Sequence, residues 1–305
     1  MKIAFAIVNE AYLGSAFATR ESFLKYNLEY EFYIFIHGAV SQKKIFQKNI
    51  LSVKNYIGEL KYNKLNPSYS IFERSCALKT IIASEIADKN PSFTKIIYLD
   101  SDLYFVNKLS ESNENDCISS IFLTPHSFSP ITNVPYLNDL TILSSGIFNA
   151  GFFEINNTEE SKEILNFLNK YMYNYCTLRR GVYPSIFVDQ IYFDIIPVYF
   201  EKYKIIKHEG YNLSFHNLHE RGLNIVSENW QTDMGTNLIF FHFTGIDFDK
   251  KDNCSKYYDF NFYTKYPNLE KLVHEYYDLL NKFSKKSKKT NKYIRFFDKY
   301  IFNKT

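Results

Sequence analysis

The chain has 305 residues, of which 46% are hydrophobic and 23% charged, enough apolar content for one large α/β domain or two small ones. Thirty-six Lys and Arg face 33 Asp and Glu, but nine of the basic residues and a single Asp fall in 281–305, so residues 1–280 carry a net charge of −5. The basic character is therefore local to the tail. This argues against a nucleic-acid surface spread over the fold, and the lack of any run of about 18 apolar residues argues against a membrane-spanning helix.

The first element is "KIAFAIV", residues 2–8, a continuous apolar run of strand length. It is too short for the apolar core of a signal peptide and is broken by Asn9 and Glu10. "GSAFATRESFLKY" follows and reads as a helix with Phe17, Phe23 and Leu24 on one side, after which "YEFYIFIH" (30–37) returns to strand. A longer helical stretch from Ser70 to Lys89 leads through a Pro-containing turn into the strand "KIIYL". This β-α-β rhythm predicts a mainly parallel sheet with helices on both faces. The four cysteines, Cys76, Cys117, Cys176 and Cys254, lie far apart with no CxxC spacing, which fits buried thiols in a reducing cytosol better than a zinc site or a disulfide framework.

Ligands in such sheets bind where strands end at their carboxyl edge, and there "IIYLDSDLYF" (96–105) places Asp100 and Asp102. Two carboxylates at a strand end are open to three readings: a solvated polar edge, an aspartyl phosphatase, or a clamp for a divalent metal that neutralises a leaving diphosphate. Phosphatases of the haloacid dehalogenase type carry Thr or Val two residues after the second Asp and place the motif on their first strand. Here Tyr104 stands at that position, one hundred residues in, which disfavours that reading.

Further along the chain come "LTPH" (123–126), "SSGIFNAGFFEIN" (144–156), "FVDQIYFD" (187–194), "GYNLSFHNLHER" (210–221) and "FFHFTG" (240–245). With "AIVNEAYLGSA" at the end of the first strand and "ALKT" at 77–80, this ordered set, covering roughly residues 1–250, resembles the GT-A glycosyltransferases. The likeness is greatest to bacterial relatives of glycosyltransferase family 8 of the surface-polysaccharide type. The resemblance implies a GT-A (Rossmann-like) α/β fold with a mixed, mainly parallel sheet flanked by helices. It also implies a metal site of Asp100, Asp102 and His242 holding Mn²⁺ or Mg²⁺, since a neutral imidazole is a good third ligand beside two carboxylates.

By the same resemblance Asp189 and Gln190 are the catalytic pair. The carboxylate would bind a donor hydroxyl and the amide would face the developing oxocarbenium charge in a retaining reaction; in an inverting one, Asp189 would be the base. In "FNAG", Ala150 and Gly151 let backbone approach a ligand closely and Asn149 offers donor and acceptor atoms for sugar hydroxyls. Asn9 and Tyr12 are candidates for the nucleotide base and ribose. Lys79, Ser101, Asn212, His219, Arg221 and Gly245 complete the expected nucleotide- and sugar-binding set. Where the family continues from its His segment to a Lys-Pro-Trp, this chain reads "GIDFDKKDN", which leaves Lys250 or Lys251 to approach the phosphates.

The expected activity is transfer of a hexose from a nucleotide-diphosphate donor, with a UDP-sugar favoured, to a glycan or lipid-linked glycan. The competing class is a sugar- or nucleotide-binding module that keeps the fold without turnover. Residues 1–265 are expected to form the transferase domain and 266–305 a helical extension. In that extension Tyr293, Phe296, Phe297, Tyr300 and Ile301 recur at helical spacing among basic residues, after "KKSKK". Such a segment suits an anionic leaflet, and predicts a cytoplasmic protein held peripherally on the inner membrane face.

Overall fold

The computed structural model describes residues 1–38, 49–110, 118–179, 186–250 and 254–284. Its centre is a seven-stranded sheet built from β1 (Lys2–Val8), β2 (Tyr30–Ile36), β3 (Ile50–Ser52), β4 (Lys95–Leu99), β6 (Ile121–Pro125), β7 (Phe148–Asn156) and β8 (Tyr203–Ile205), in the order β8-β6-β7-β4-β1-β2-β3. All neighbours run parallel except that β7 is antiparallel to both β4 and β6. The expected mixed, mainly parallel α/β sheet is what the chain forms.

The continuous apolar character of the strands follows from burial on both faces. In β1 the alternate residues Ile3, Phe5 and Ile7 enter one core cluster, while Ala4, Ala6 and Val8 enter another. Helix α1 (Leu13–Tyr26) packs on the second face through Phe23, whose ring meets those of Phe32 and Phe105 edge-on. Helices α2 (Ile71–Lys89) and α4 (Glu159–Met172) cover the first. α2 begins in a capping box of Ser70 and Glu73, which satisfies two otherwise orphaned amides, and it ends at Asn90 ahead of Pro91. A short helix α3 (Asp139–Ser145) precedes β7, and α5 (Gln190–Phe193) lies between β7 and β8 in the chain.

A second sheet of three strands, β9 (Leu213–Ser214), β10 (Phe240–His242) and β5 (Leu103–Phe105), stands at the carboxyl edge of the first. Its register sets His242 opposite Leu103 and beside Ser214, which is why a histidine 140 residues downstream arrives next to Asp102. The short helix α6 (Leu218–Arg221) follows β9.

The last described helix, α7 (Asn268–Ser284), buries Leu269, Leu272, Val273 and Tyr276 in a third core with Phe241 and Phe243, and the Tyr276 and Phe243 rings stack at 4.3 Å. Phe283 meets Phe17 of α1. Residues 268–284 thus share a core with the strand that carries His242, while the amphipathic segment around Tyr293–Ile301 lies outside the described residues. Among the described residues no helix is long and apolar enough to cross a membrane. Cys76, Cys176 and Cys254 are buried and unpaired, as expected; Cys117 lies outside the described residues.

Candidate functional site

The site is assembled where β4 and β7 meet the second sheet. The Asp100 amide donates to the Gly151 carbonyl at 2.8 Å, which fixes the strand end carrying the first carboxylate against β7. The Phe243 amide donates to the Asp102 carbonyl at 2.9 Å, which fixes the second against β10. As a result Asp100, Asp102 and His242 each offer a ligand atom within 4.8 Å of the others. His242 Nε2 is 3.2 Å from Asp102 Oδ1 and 3.8 Å from Asp100 Oδ2.

These separations suit a divalent cation. Two ligands in adjacent positions of an octahedral Mg²⁺ shell, each about 2.1 Å from the ion, lie about 3 Å apart. Oxygen, oxygen and imidazole nitrogen are also the donor set that Mn²⁺ accepts. Gly151 makes the approach possible: a Cβ there would stand 2.4 Å from His242 Cε1 and 2.8 Å from Asp100 Oδ2. The electrostatics agree. Burial works against the His242 imidazolium, yet Asp102 and Asp100 outweigh it and raise its pKa; burial likewise opposes the Asp102 carboxylate, and His242 outweighs it and lowers that pKa. The pocket favours positive charge between the two side chains.

Behind the trio lies a buried charged network. Lys79, 5% exposed on α2, stands 3.1 Å from Asp189 Oδ2 and 3.5 Å from Asp100 Oδ1, and donates to the Ala150 carbonyl at 3.1 Å. Burial would depress the Lys79 pKa, but Asp100 and Asp189 reverse this and raise it. Burial raises the Asp189 pKa against the opposing effect of Lys79. Tyr98, two residues before Asp100 and so on the same face of β4, donates its hydroxyl to Asp100 Oδ1. Val188, just before Asp189, adopts φ of +45°, a strained conformation for a β-branched residue, while its amide is held by the Thr177 carbonyl.

Gln190 accepts the Ala150 amide at 3.1 Å and donates to the Ser145 carbonyl at 2.7 Å, so it pins the turn into β7. Gly146 in that turn, at φ +110°, packs against the Gln190 side chain. Asp194 takes the Ile147 amide on both carboxylate oxygens, and burial lifts its pKa to about 6. Asn149 accepts the Gly151 amide at 2.9 Å. Asn9 caps the turn Glu10–Tyr12 by accepting the Ala11 amide, with Tyr12 half-buried, at the same sheet edge as Asp100; Ser101, between the two aspartates, is half-buried too.

Asn212 is 1% exposed, with its amide engaged by His242 Nδ1 at 3.0 Å and Thr124 Oγ1 at 2.8 Å. Arg221, also 1% exposed, lies with its guanidinium 3.7 Å from the Phe128 ring centroid and donates to the Tyr211 carbonyl at 2.8 Å and to Glu220 at 3.2 Å. Glu220 in turn accepts the amides of Phe128 and Ser129, so the pair moulds a loop beside the site. The ring nitrogens of His219 on α6 are buried. Gly245, at φ +66°, lies directly under the Tyr257 ring, and Lys250 donates to the Ser255 carbonyl; Lys251 lies outside the described residues.

Sequence reasoning missed Tyr98, Thr124 and Asp194. Tyr98 and Asp194 lie inside motifs already singled out, at strand period and at helix spacing from the residues that were named. Thr124 carries no signal beyond its place in "LTPH".

No protein-family model matches the chain. Two proteins of Bacillus subtilis (strain 168) are similar in sequence. The uncharacterized protein YfnD is 25% identical over 197 residues, 64% of this chain and 61% of that protein, and the uncharacterized protein YfnF is 23% identical over 209 residues, 68% of each. This match therefore spans about three fifths of YfnD. Among solved structures, the galactosyltransferase LgtC, in complex with donor and acceptor sugar analogues, superimposes with a TM-score of 0.54 over 92% of this chain and 96% of its own at 13% identity. What that likeness shows is the fold: the chain has the mixed α/β architecture of the GT-A glycosyltransferases.

Proposed function

We propose that this protein is a metal-dependent glycosyltransferase that moves a hexose from a nucleotide-diphosphate donor, a UDP-sugar, to a glycan or lipid-linked glycan with retention of configuration. The observation that carries the reading is the convergence of Asp100, Asp102 and His242 at the carboxyl edge of a GT-A sheet. A divalent cation held there supplies the positive charge that stabilises a leaving nucleoside diphosphate.

The chain's own residues do the rest. Asp100 and Asp102 present carboxylate oxygens and His242 presents Nε2. Asn9 and Tyr12, at the end of β1, lie where a base and ribose would rest against the sheet edge, and Ser101, Asn149, Ala150 and Gly151 line the approach of the diphosphate and sugar. Gln190, one carbonyl lone pair of which takes the Ala150 amide, offers the other to positive charge developing on the sugar. Asp189 is 1% exposed and paired with Lys79, which supports a role in orienting the donor over one as base for an acceptor hydroxyl, and so supports retention. The basic segment after α7 would hold the enzyme to an anionic inner leaflet, near a lipid-linked acceptor.

The test is nucleotide release from a panel of UDP- and GDP-sugars with Mn²⁺ or Mg²⁺, with and without chelator. Metal-dependent release from one donor is the expected result. Nucleotide binding with no release from any donor would identify a binding module instead.

A further inference from the structure

We infer that Thr124 and Asn212 form a hydrogen-bond relay that fixes the tautomer of His242, so that they act as positioning residues for the metal site and not as sugar contacts. The inference rests on the metal-site reading above, but the relay is legible from donor and acceptor chemistry alone. It begins at the Asn149 carbonyl, which can only accept. Thr124 Oγ1 donates to it at 3.4 Å, so the Thr124 hydroxyl meets its other neighbour with a lone pair. That neighbour is Asn212 Nδ2, 2.8 Å away, which donates.

With its NH₂ group facing Thr124, Asn212 turns its Oδ1 to His242 Nδ1 at 3.0 Å. An amide oxygen only accepts, so Nδ1 carries the hydrogen and, in the neutral imidazole, Nε2 is left as a lone pair. That lone pair faces Asp102 Oδ1 at 3.2 Å and Asp100 Oδ2 at 3.8 Å. Three acceptors that close repel one another unless a cation lies among them, and the relay thereby prepares a ligand set. The opposite flip of Asn212 would put a hydrogen on Nε2, where it would satisfy Asp102 and close the set.

The backbone is arranged to hold this flip. Asn212 sits at φ +54°, a left-handed conformation that Asn tolerates better than other side-chain-bearing residues. Its carbonyl accepts from Asn217 Nδ2 at 3.0 Å, and the same Asn217 side chain accepts the Ser214 amide at 2.8 Å. Ser214 pairs with His242 in the second sheet, so the residue orienting the imidazole and the strand carrying it are fixed by one side chain.

The test combines two readouts. Nitrogen-15 spectra of the metal-free protein in alkaline buffer report which ring nitrogen of His242 carries hydrogen, and Mn²⁺ titration by electron paramagnetic resonance reports affinity. Asn212→Gly removes the amide while suiting the left-handed backbone, Thr124→Val removes the hydroxyl at nearly constant volume, and Asn212→Asp keeps an acceptor for Nδ1. The wild type should show the Nδ1–H tautomer. Asn212→Gly should mix the tautomers and bind Mn²⁺ about 10- to 100-fold more weakly, as for other residues that orient a ligand from behind, with circular dichroism unchanged. Thr124→Val should lose several-fold, and Asn212→Asp should retain the wild-type tautomer. An Nε2–H tautomer in the wild type, or wild-type Mn²⁺ affinity in both Asn212→Gly and Thr124→Val, would overturn the relay. Should the wild type bind no Mn²⁺, the metal-site reading falls, and the spectra alone then decide: Nδ1–H in the wild type with mixing in Asn212→Gly supports the relay, and any other pattern overturns it.

Discussion

Lys79 Nζ lies 3.1 Å from Asp189 Oδ2, joining the middle of helix α2 to the turn that opens α5, with both side chains almost wholly buried. The same ammonium faces Asp100, so a single cation compensates carboxylates from two separate motifs. Removing it leaves a buried anion without its partner. Lys79→Met should therefore cost about 3–5 kcal/mol in denaturant unfolding. The double variant Lys79→Met/Asp189→Asn should recover part of that loss, because the uncompensated charge is gone; equal stability of the two variants would contradict an uncompensated Asp189 charge as the source of the loss.

Gly151 makes a separate case, because its φ lies outside the left-handed region and alanine is compatible with its backbone. What alanine cannot avoid is the His242 ring, 2.4 Å from the added carbon, and Asp100. Gly151→Ala should thus leave a folded protein whose Mn²⁺ affinity falls by one or more orders of magnitude, on the scale of about 1.4 kcal/mol per tenfold. Mn²⁺ titration beside a thermal melt separates this from general unfolding.

The sequence made the central strands and flanking helices legible because burial on both faces writes continuous apolar runs, as in "KIAFAIV" and "KIIYL", and because a Pro-containing turn closes the helical stretch from Ser70 to Lys89. It also marked Asp100, Asp102 and His242, whose types are unusual at the ends of apolar runs. It did not show that β7 runs antiparallel inside the sheet, since a strand buried on both faces looks alike in either direction. Nor did it show which polar side chains of the site take protein partners. Asn212 and Arg221 stand in a polar motif beside the site, and only the long-range pairing of β9, β10 and β5 turns their side chains toward His242, Tyr211 and Phe128.

A buried histidine gives the protein a defined acid sensitivity. His37, 3% exposed at the end of β2 and bonded to Ser75, has its pKa pushed down to about 4, first by burial and then by Arg74. Above pH 6.5, the ordinary histidine value, it is neutral in both folded and unfolded chains. As pH falls below that, the unfolded chain takes up a proton that the fold refuses, so stability is lost progressively down to about pH 4. The slope from this residue is about 1.4 kcal/mol per pH unit, and His126, also depressed to about 4 by burial, adds a similar one. Unfolding free energies of His37→Asn measured across this window should show a slope shallower by one histidine.

The basic tail is testable without knowledge of the acceptor. A chain ending after Phe283 retains the Phe17 contact of α7 and loses the basic residues that follow. It should sediment less with vesicles containing anionic lipid than the full chain does, by about 1 kcal/mol for each basic residue that reached the surface. Equal sedimentation would contradict membrane association through this segment.

The central claim is that Asp100, Asp102 and His242 hold a divalent cation. It is tested most directly by titrating Mn²⁺ into the wild-type protein and Asp102→Asn, following the free-ion electron paramagnetic resonance signal. The account predicts one tightly bound Mn²⁺ per wild-type chain and a loss of affinity by orders of magnitude in a variant that keeps its secondary structure. Indistinguishable titrations of the two proteins would contradict it.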